Sequence, residues 1–311
     1  MEEKFEIISL LQYKHSLEEK LNSLIYGSVE IRTSESNKYI YVHYRDNGIS
    51  LTKYAGEYSD ELYNLILNNS IEAKKIKKEL REINKKLRDL NYERTELNSD
   101  VMLNIDFAKK NLASTIYKQA ILEGVATTFA DTENIIEGGK VNNMTSEDVL
   151  KIINLKHAWE FILNENVISS NTNYALLCQI NKLILEGFYY NAGKIRSTPV
   201  TIGGTNWTPN LPIESIIKEE LDDIFSKDFD DIDRAIELLL YTMKKQIFID
   251  GNKRTSVIFT NHYLISKGKG LIVIPDAMID EYKNLLIQYY EGNDEKNIKT
   301  FLKTNCYTSL K

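Results

Sequence analysis

The stretch Gln246-Ile247-Phe248-Ile249-Asp250-Gly251-Asn252-Lys253-Arg254-Thr255 gathers a carboxamide, a carboxylate, a Gly-Asn pair and two cations. A Gly-Asn turn that opens a helix exposes backbone N–H groups at the positive end of the helix dipole, which suits an anion. Lys253 and Arg254 add charge for a phosphate, and Asp250 is a candidate Mg²⁺ ligand. Apolar residues at helical spacing flank the stretch. They run from Ala235 to Met243 before it and through Val257, Ile258, Phe259, Tyr263 and Leu264 after it, with Gly268 as the stop. A capped helix–loop–helix corner with solvated cations accounts for this spacing equally well, because a lone Gly-Asn turn is weak evidence of a site.

The stretch resembles the signature of the Fic (Fido) family, His-x-Phe-x-Asp/Glu-Gly-Asn-Gly/Lys-Arg, with Phe248, Asp250, Gly251, Asn252 and Arg254 in register. Upstream, Asn191-Ala-Gly193-Lys194-Ile-Arg196 followed by Val200-Thr-Ile-Gly203-Gly204 is similar to the family's flap region, and Pro209 and Pro212 follow it. The resemblance covers roughly residues 105–305. It implies ATP and Mg²⁺ as ligands and AMP transfer to a protein hydroxyl. It also implies roles: Asp250 for the metal, Gly251 and Asn252 for the phosphate nest, Lys253 and Arg254 for phosphate charge.

Three positions depart from that pattern. Gln246 stands where the family has its catalytic His, and a carboxamide cannot act as a general base near neutral pH. Such a base typically supplies ~10²–10⁴-fold, about 3–5 kcal/mol of barrier. Gln246 is left to orient a target hydroxyl, and phosphate binding does not require the His. Lys253 replaces Gly, a variant of the Doc-type branch, whose resemblance implies phosphoryl transfer. Val257 stands where many members carry a second Arg.

Gln119-Ala-Ile-Leu-Glu123-Gly124 resembles the family's inhibitory motif, whose Glu restrains the nucleotide by pairing with that second Arg. Here Gln119 replaces Ser/Thr and Val257 stands in place of the Arg, so the clamp lacks its usual counter-charge, for which Arg254 or Lys253 is the candidate substitute. Residues 197–207 read as a β-hairpin. The family's flap adds a strand to the target backbone, so a protein substrate is expected there, with Thr201 and Trp207 lining the groove. The leading expectation is a Fic-type adenylyltransferase, weak or altered because of Gln246. The alternatives are a catalytically silent nucleotide- or partner-binding regulator and a Doc-like phosphotransferase toxin, a type much more compact than this chain.

The elements that must position these residues read as mainly helical. The expected fold is an all-α Fic-like domain over 101–311 with a small flap hairpin, preceded by a separate module over 1–100. The chain has 311 residues, 42% hydrophobic and 27% charged, with a net charge of −6 that gives no global attraction to nucleic acid or anionic membrane. No apolar run is long enough to span a membrane, and Met-Glu-Glu-Lys-Phe-Glu does not read as a signal peptide. Cys178 and Cys306 lie far apart without nearby ligands, so disulfide and zinc are not expected and a reducing cytoplasm is. His157 reads as structural. His262, eight residues past Arg254, stands about two turns along its helix, too far to replace a base at 246.

In the first module, Leu10, Leu17, Leu21 and Leu24 mark a helix to about Ile25. Three β-rich runs follow at Ser28–Thr33, Lys38–Arg45 and Ile49–Ala55, the last two joined by Asp46-Asn47-Gly48, a strong hairpin signal. A long helix is expected over Ser59–Asn98. Its apolar seam at Ile76, Leu80, Ile83, Leu87, Leu90 and Leu97 would pack on the first helix or on a second copy as a dimer. Lys74 to Arg88 holds eight cations against Glu79 and Glu82, a local charge of +6. A partner protein or homodimerisation suits this module at least as well as nucleic acid, the less favoured partner.

Overall fold

The computed structural model describes residues 2–34, 37–46, 49–92, 96–142, 144–293 and 295–310. The chain divides into two compact units, residues 1–93 and 94–311.

In the first unit, helix α1 (Glu2–Ser23) precedes an antiparallel meander, β1 (Ser28–Ser34), β2 (Asn37–Asp46) and β3 (Ile49–Glu57), in the order β1-β2-β3. The alternation of β2 is realised: Ile40 and Val42 point inward and pack with Ile66, while Tyr39, Tyr41 and His43 share the other face. The expected Asn47-Gly48 turn lies outside the described residues. Helix α2 (Asp60–Asp89) starts on the Ser59 side chain, which accepts from Leu62 N–H. It packs antiparallel on α1, burying Ile76, Ile83 and Leu87 with Ile8, Leu11 and Leu17. The helix is shorter than its apolar repeat suggested. It ends at Asp89, Asn91 takes a left-handed φ of 51°, and Leu97 therefore lies beyond the seam.

The second unit contains helices α3 (Ser99–Lys110), α4 (Leu112–Leu122), α5 (Phe129–Ile136), α6 (Ser146–Ile162), α7 (Glu165–Ile168), α8 (Tyr174–Ile184), α9 (Glu214–Ser226), α10 (Asp231–Lys245) and α11 (Asn252–Ser266). Strand β4 (Leu271–Ile272), helices α12 (Ile279–Tyr290) and α13 (Glu295–Phe301), and strand β5 (Tyr307–Thr308) complete it, β4 pairing with β5. Helix α11 is the hub and is buried on all sides, with α10, α8, α6 and α3 packed around it. The mainly helical architecture with one small three-stranded sheet follows the expectation.

Two local readings are corrected. Residues 197–207 form no strand pair. Their extended run has no neighbouring strand to supply ladder hydrogen bonds, and a turn at Gly203-Gly204 breaks it. The segment is tied to α12 instead: Thr205 Oγ1 donates to Glu291 Oε1 at 2.8 Å and Trp207 stacks on Tyr290 at 5.5 Å. Residues 131–145, whose polar composition on its own reads as a connection, contain most of α5, which Thr128 caps by accepting from Asp131 N–H.

His262 lies inside this core with no exposed surface, its Nδ1 2.8 Å from Thr172 Oγ1 and its Nε2 3.0 Å from the Val167 carbonyl. Burial pushes its pKa down to about 4. The unfolded chain therefore takes up a proton near pH 6.5 that the folded chain refuses until about pH 4. Stability must fall as pH drops through that window, by about 1.4 kcal/mol per pH unit. Both tryptophans, Trp159 and Trp207, lie in this unit, so their fluorescence follows its unfolding in urea. The wild-type midpoint should fall between pH 6.5 and 5, and His262→Gln should flatten the fall; an equal decline in both chains contradicts this account.

Candidate active site

The chemistry-bearing stretch lies between α10 and α11, and two left-handed residues make the turn. Gln246 ends α10 at φ 46°, ψ 59°, and Gly251 opens α11 at φ 72°. A Cβ at Gly251 would lie 3.2–3.3 Å from Asn181, Ile184 and Leu185, so both conformation and space favour glycine. Asn252 closes the loop from within. Its Oδ1 accepts from Phe248 N–H at 2.9 Å, and its Nδ2 donates to the Phe248 carbonyl at 2.8 Å and to Gln246 Oε1 at 3.2 Å. No side chain caps the start of α11, and its leading N–H groups have no partner within the helix.

Gln246 is held on both sides: its Nε2 donates to the Met243 carbonyl at 2.6 Å while its Oε1 accepts from Asn252. Its carboxamide is thus engaged in the turn. Arg196, buried, staples the loop to the segment after α8, donating from Nε to the Gln246 carbonyl at 2.6 Å and from Nη2 to the Asn210 carbonyl at 2.6 Å.

Arg254, Asp250 and Glu123 meet beside this turn. The Arg254 side chain is 6% exposed, with Nε 3.4 Å from Glu123 Oε2 and Nη2 3.3 Å from Asp250 Oδ2. Glu123, at the end of α4, also lies 3.6 Å from Lys253 Nζ. The carboxylate whose expected counter-charge is missing therefore has both neighbouring cations, and Val257 is buried in the core. The Arg254–Glu123 contact is an ion pair without hydrogen-bond alignment, Arg254 Nε and Glu123 Oε1 being buried with no hydrogen-bond partner, whereas Arg254 Nη2 donates to Asp250 Oδ2. Asp250 is half exposed, and its Oδ1 accepts from Gly251 N–H at 2.6 Å.

These residues open on a cleft of ≈460 Å³ lined by Glu123, Asp250, Arg254, Leu185, Phe188 and Tyr189, to which α6 adds Glu147 and Lys151. Lys151 lies 2.8 Å from Glu147 and 3.6 Å from Asp148, and the Glu147 hydrogen bond raises its pKa. The cleft thus holds a second cation that the motif did not indicate. Its only sequence signal was an i,i+4 charge pair, which reads as a solvated helix face.

Two buried amides brace the loop from behind. Asn181 Nδ2 donates to the Asp250 carbonyl at 3.0 Å and to Thr255 Oγ1 at 3.1 Å, while its Oδ1 accepts from Gly193 N–H. Gln119, expected as a substituted motif residue, is a buried bracket: its Nε2 donates to the Arg254 carbonyl and its Oε1 accepts from Trp159 Nε1, both at 2.9 Å. Asn181 was legible only as a polar residue inside an apolar helix. Thr201 is exposed and outside the cleft; Trp207 lines a different cleft, of ≈620 Å³, with Leu211, Ile213, Ile216, Tyr241 and Lys244. His262 is in the core and does not reach the turn.

Among the described residues no cluster of three or more His, Cys, Asp or Glu forms a metal cage, and no helix is long and apolar enough to cross a membrane. A Mg²⁺ held by Asp250 alone among protein groups, with phosphate and water completing its shell, is consistent with that donor set.

No curated protein matches the chain. Residues 171–264 match the model of the Fic/DOC family. Similar solved structures include residues 134–508 of Fic-1 from C. elegans, at 17% identity over 79% of this chain and 73% of that one, TM-score 0.53. A Fic-domain-containing signaling protein from Bacteroides thetaiotaomicron matches at 20% identity over 62% and 76%, TM-score 0.53. A Fic family protein from Desulfovibrio desulfuricans matches at 13% over 68% and 73%, TM-score 0.51. Residues 171–264 therefore carry a Fic/DOC family domain, on a fold shared with solved Fic proteins.

Proposed function

We propose that the cleft binds ATP with Mg²⁺ and that the protein is a Fic-type adenylyltransferase whose transfer to a protein hydroxyl is weak. The observation that carries the binding step is Arg254: a nearly buried guanidinium with an unpartnered Nε, at the uncapped start of a helix, beside a half-exposed carboxylate. A buried cation with a spare donor costs free energy until an anion meets it, and a phosphate does so in the right place. The α11 N–H groups, Lys253 and Lys151 add to the same attraction. Asp250 would hold the metal, which supplies charge neutralisation across the phosphates.

In the transfer, the target hydroxyl oxygen forms a bond to the α-phosphorus, the bond to pyrophosphate breaks, and the hydroxyl proton is released. Gln246 has no basic site for that proton, and its amide is engaged with Met243 and Asn252. The proton must go to solvent or to a group on the target, which is why transfer is slow. Glu123 competes with phosphate for Arg254 and Lys253 and so restrains the nucleotide. The target would dock along residues 197–207. The engaged Gln246 equally favours a second reading, in which the cleft binds nucleotide without transferring it and signals to a partner.

Incubation with Mg²⁺ and ATP labelled separately at the α- and γ-phosphates, beside a Gln246→His variant, tests this. The variant should incorporate α-label into itself or lysate proteins ~10²-fold or more faster than the parent. Nucleotide binding with both chains silent supports the non-catalytic reading. Transfer of γ-label instead indicates Doc-like phosphoryl transfer, and absence of both binding and label sinks the nucleotide reading altogether.

A further inference from the structure

The first unit has a near-neutral total charge, yet α2 carries a run of +6 over Lys74–Arg88. The structure resolves this run into a row: Lys74, Lys78, Arg81, Lys85 and Arg88 follow at alternating four- and three-residue steps, and all are exposed. At 1.5 Å per residue the row extends over about 21 Å. It lies opposite the face that buries Ala73, Ile76, Ile83 and Leu87, so packing on α1 leaves it uncovered. The two acids in the run do little to neutralise it. Glu79 accepts from Tyr13 OH on α1 at 2.5 Å, and Glu82 reaches Lys78 only at 4.0 Å with both side chains largely exposed.

At its N-terminal end the row runs into a depression of ≈480 Å³ where α2 meets the sheet. Lys74, Lys77 and Arg45 supply its charge, Ser28, Ser50 and Ser70 are among its hydroxyls, and no acidic residue lines it among the described residues. Lys77 sits over the Tyr26 ring at 4.7 Å, which orders the ammonium at the rim. Cations in file and hydroxyl donors complement a polyphosphate backbone. The row itself offers no ring for base stacking, since no aromatic residue occurs between Lys74 and Arg88. A row with phosphate contacts and no stacking rings suits a duplex, whose bases stay paired inside, better than a single strand.

We propose that the exposed face of α2 and the adjoining depression form a sequence-independent docking surface for the phosphate backbone of double-stranded DNA. This surface is independent of the nucleotide reading of the other unit.

The test uses the full chain and a fluorescently labelled random-sequence 24-base-pair duplex, with anisotropy read over a salt series. Engagement of five cations predicts a slope of log K against log salt of about −4.5. A variant with Lys78→Gln, Arg81→Gln and Lys85→Gln, all at exposed positions, should lose about three units of that slope and at least tenfold in affinity near 50 mM salt. A control with Lys109→Gln, Lys110→Gln and Lys140→Gln makes the same change in net charge on the other unit and should bind as wild type, with circular dichroism checking that both variants stay folded. Absence of binding at low salt, an unchanged slope in the α2 variant, equal loss in the control, or tighter binding of single strands or RNA would each overturn the proposal.

Discussion

The site depends on one turn that two helices cannot make with ordinary backbone. Chain reversal between α10 and α11 requires left-handed residues at both ends, and Gln246 and Gly251 provide them. A non-glycine residue at φ 46° is strained, and the compensation is visible: Gln246 is tied at its carbonyl by Arg196, at its amide by Met243, and at its amide oxygen by Asn252. Asn252 then spends its remaining hydrogen-bonding capacity on Phe248. Asp250, Lys253 and Arg254 are placed by this closure, and Asn181 and Gln119 hold it to α8, α4 and α6.

That closure sets the electrostatics. Arg254 leaves water almost completely and receives two carboxylate neighbours: its Nη2 donates to Asp250, while its Nε meets Glu123 without a hydrogen bond. Desolvating an ion pair without good alignment gives up much of the Coulomb gain, so the arrangement is a poor stabiliser of the fold. Under the proposed function it is a site in balance, in which Glu123 and an incoming phosphate would compete for one guanidinium. Lys151 on α6 extends the positive field into the cleft from a helix that the motif does not include.

The helix–loop–helix frame and its charged residues were legible in the sequence, because apolar periodicity on both sides of a Gly-Asn pair leaves few other structures. The N-terminal meander was legible for a similar reason, since Ile40 and Val42 alternate with tyrosines. What sequence could not supply was the third dimension. Glu147 and Lys151 look like a surface pair until α6 is packed beside α11. Gln119 looks like a lost hydroxyl until Trp159 and the Arg254 carbonyl are found at its two ends. Residues 197–207 have strand-forming side chains but no partner strand, and pairing rather than propensity decides a hairpin. The end of α2 was missed because apolar residues continue in register to Leu97, whereas the backbone turns at Asn91.

The most direct test of this balance is a calorimetric titration of Mg²⁺-ATP into the wild-type chain and into Glu123→Gln. Competition for Arg254 predicts measurable binding to the wild type and several-fold tighter binding once the carboxylate is neutralised, with folding unchanged. Binding to neither chain, while both remain folded, would contradict the account.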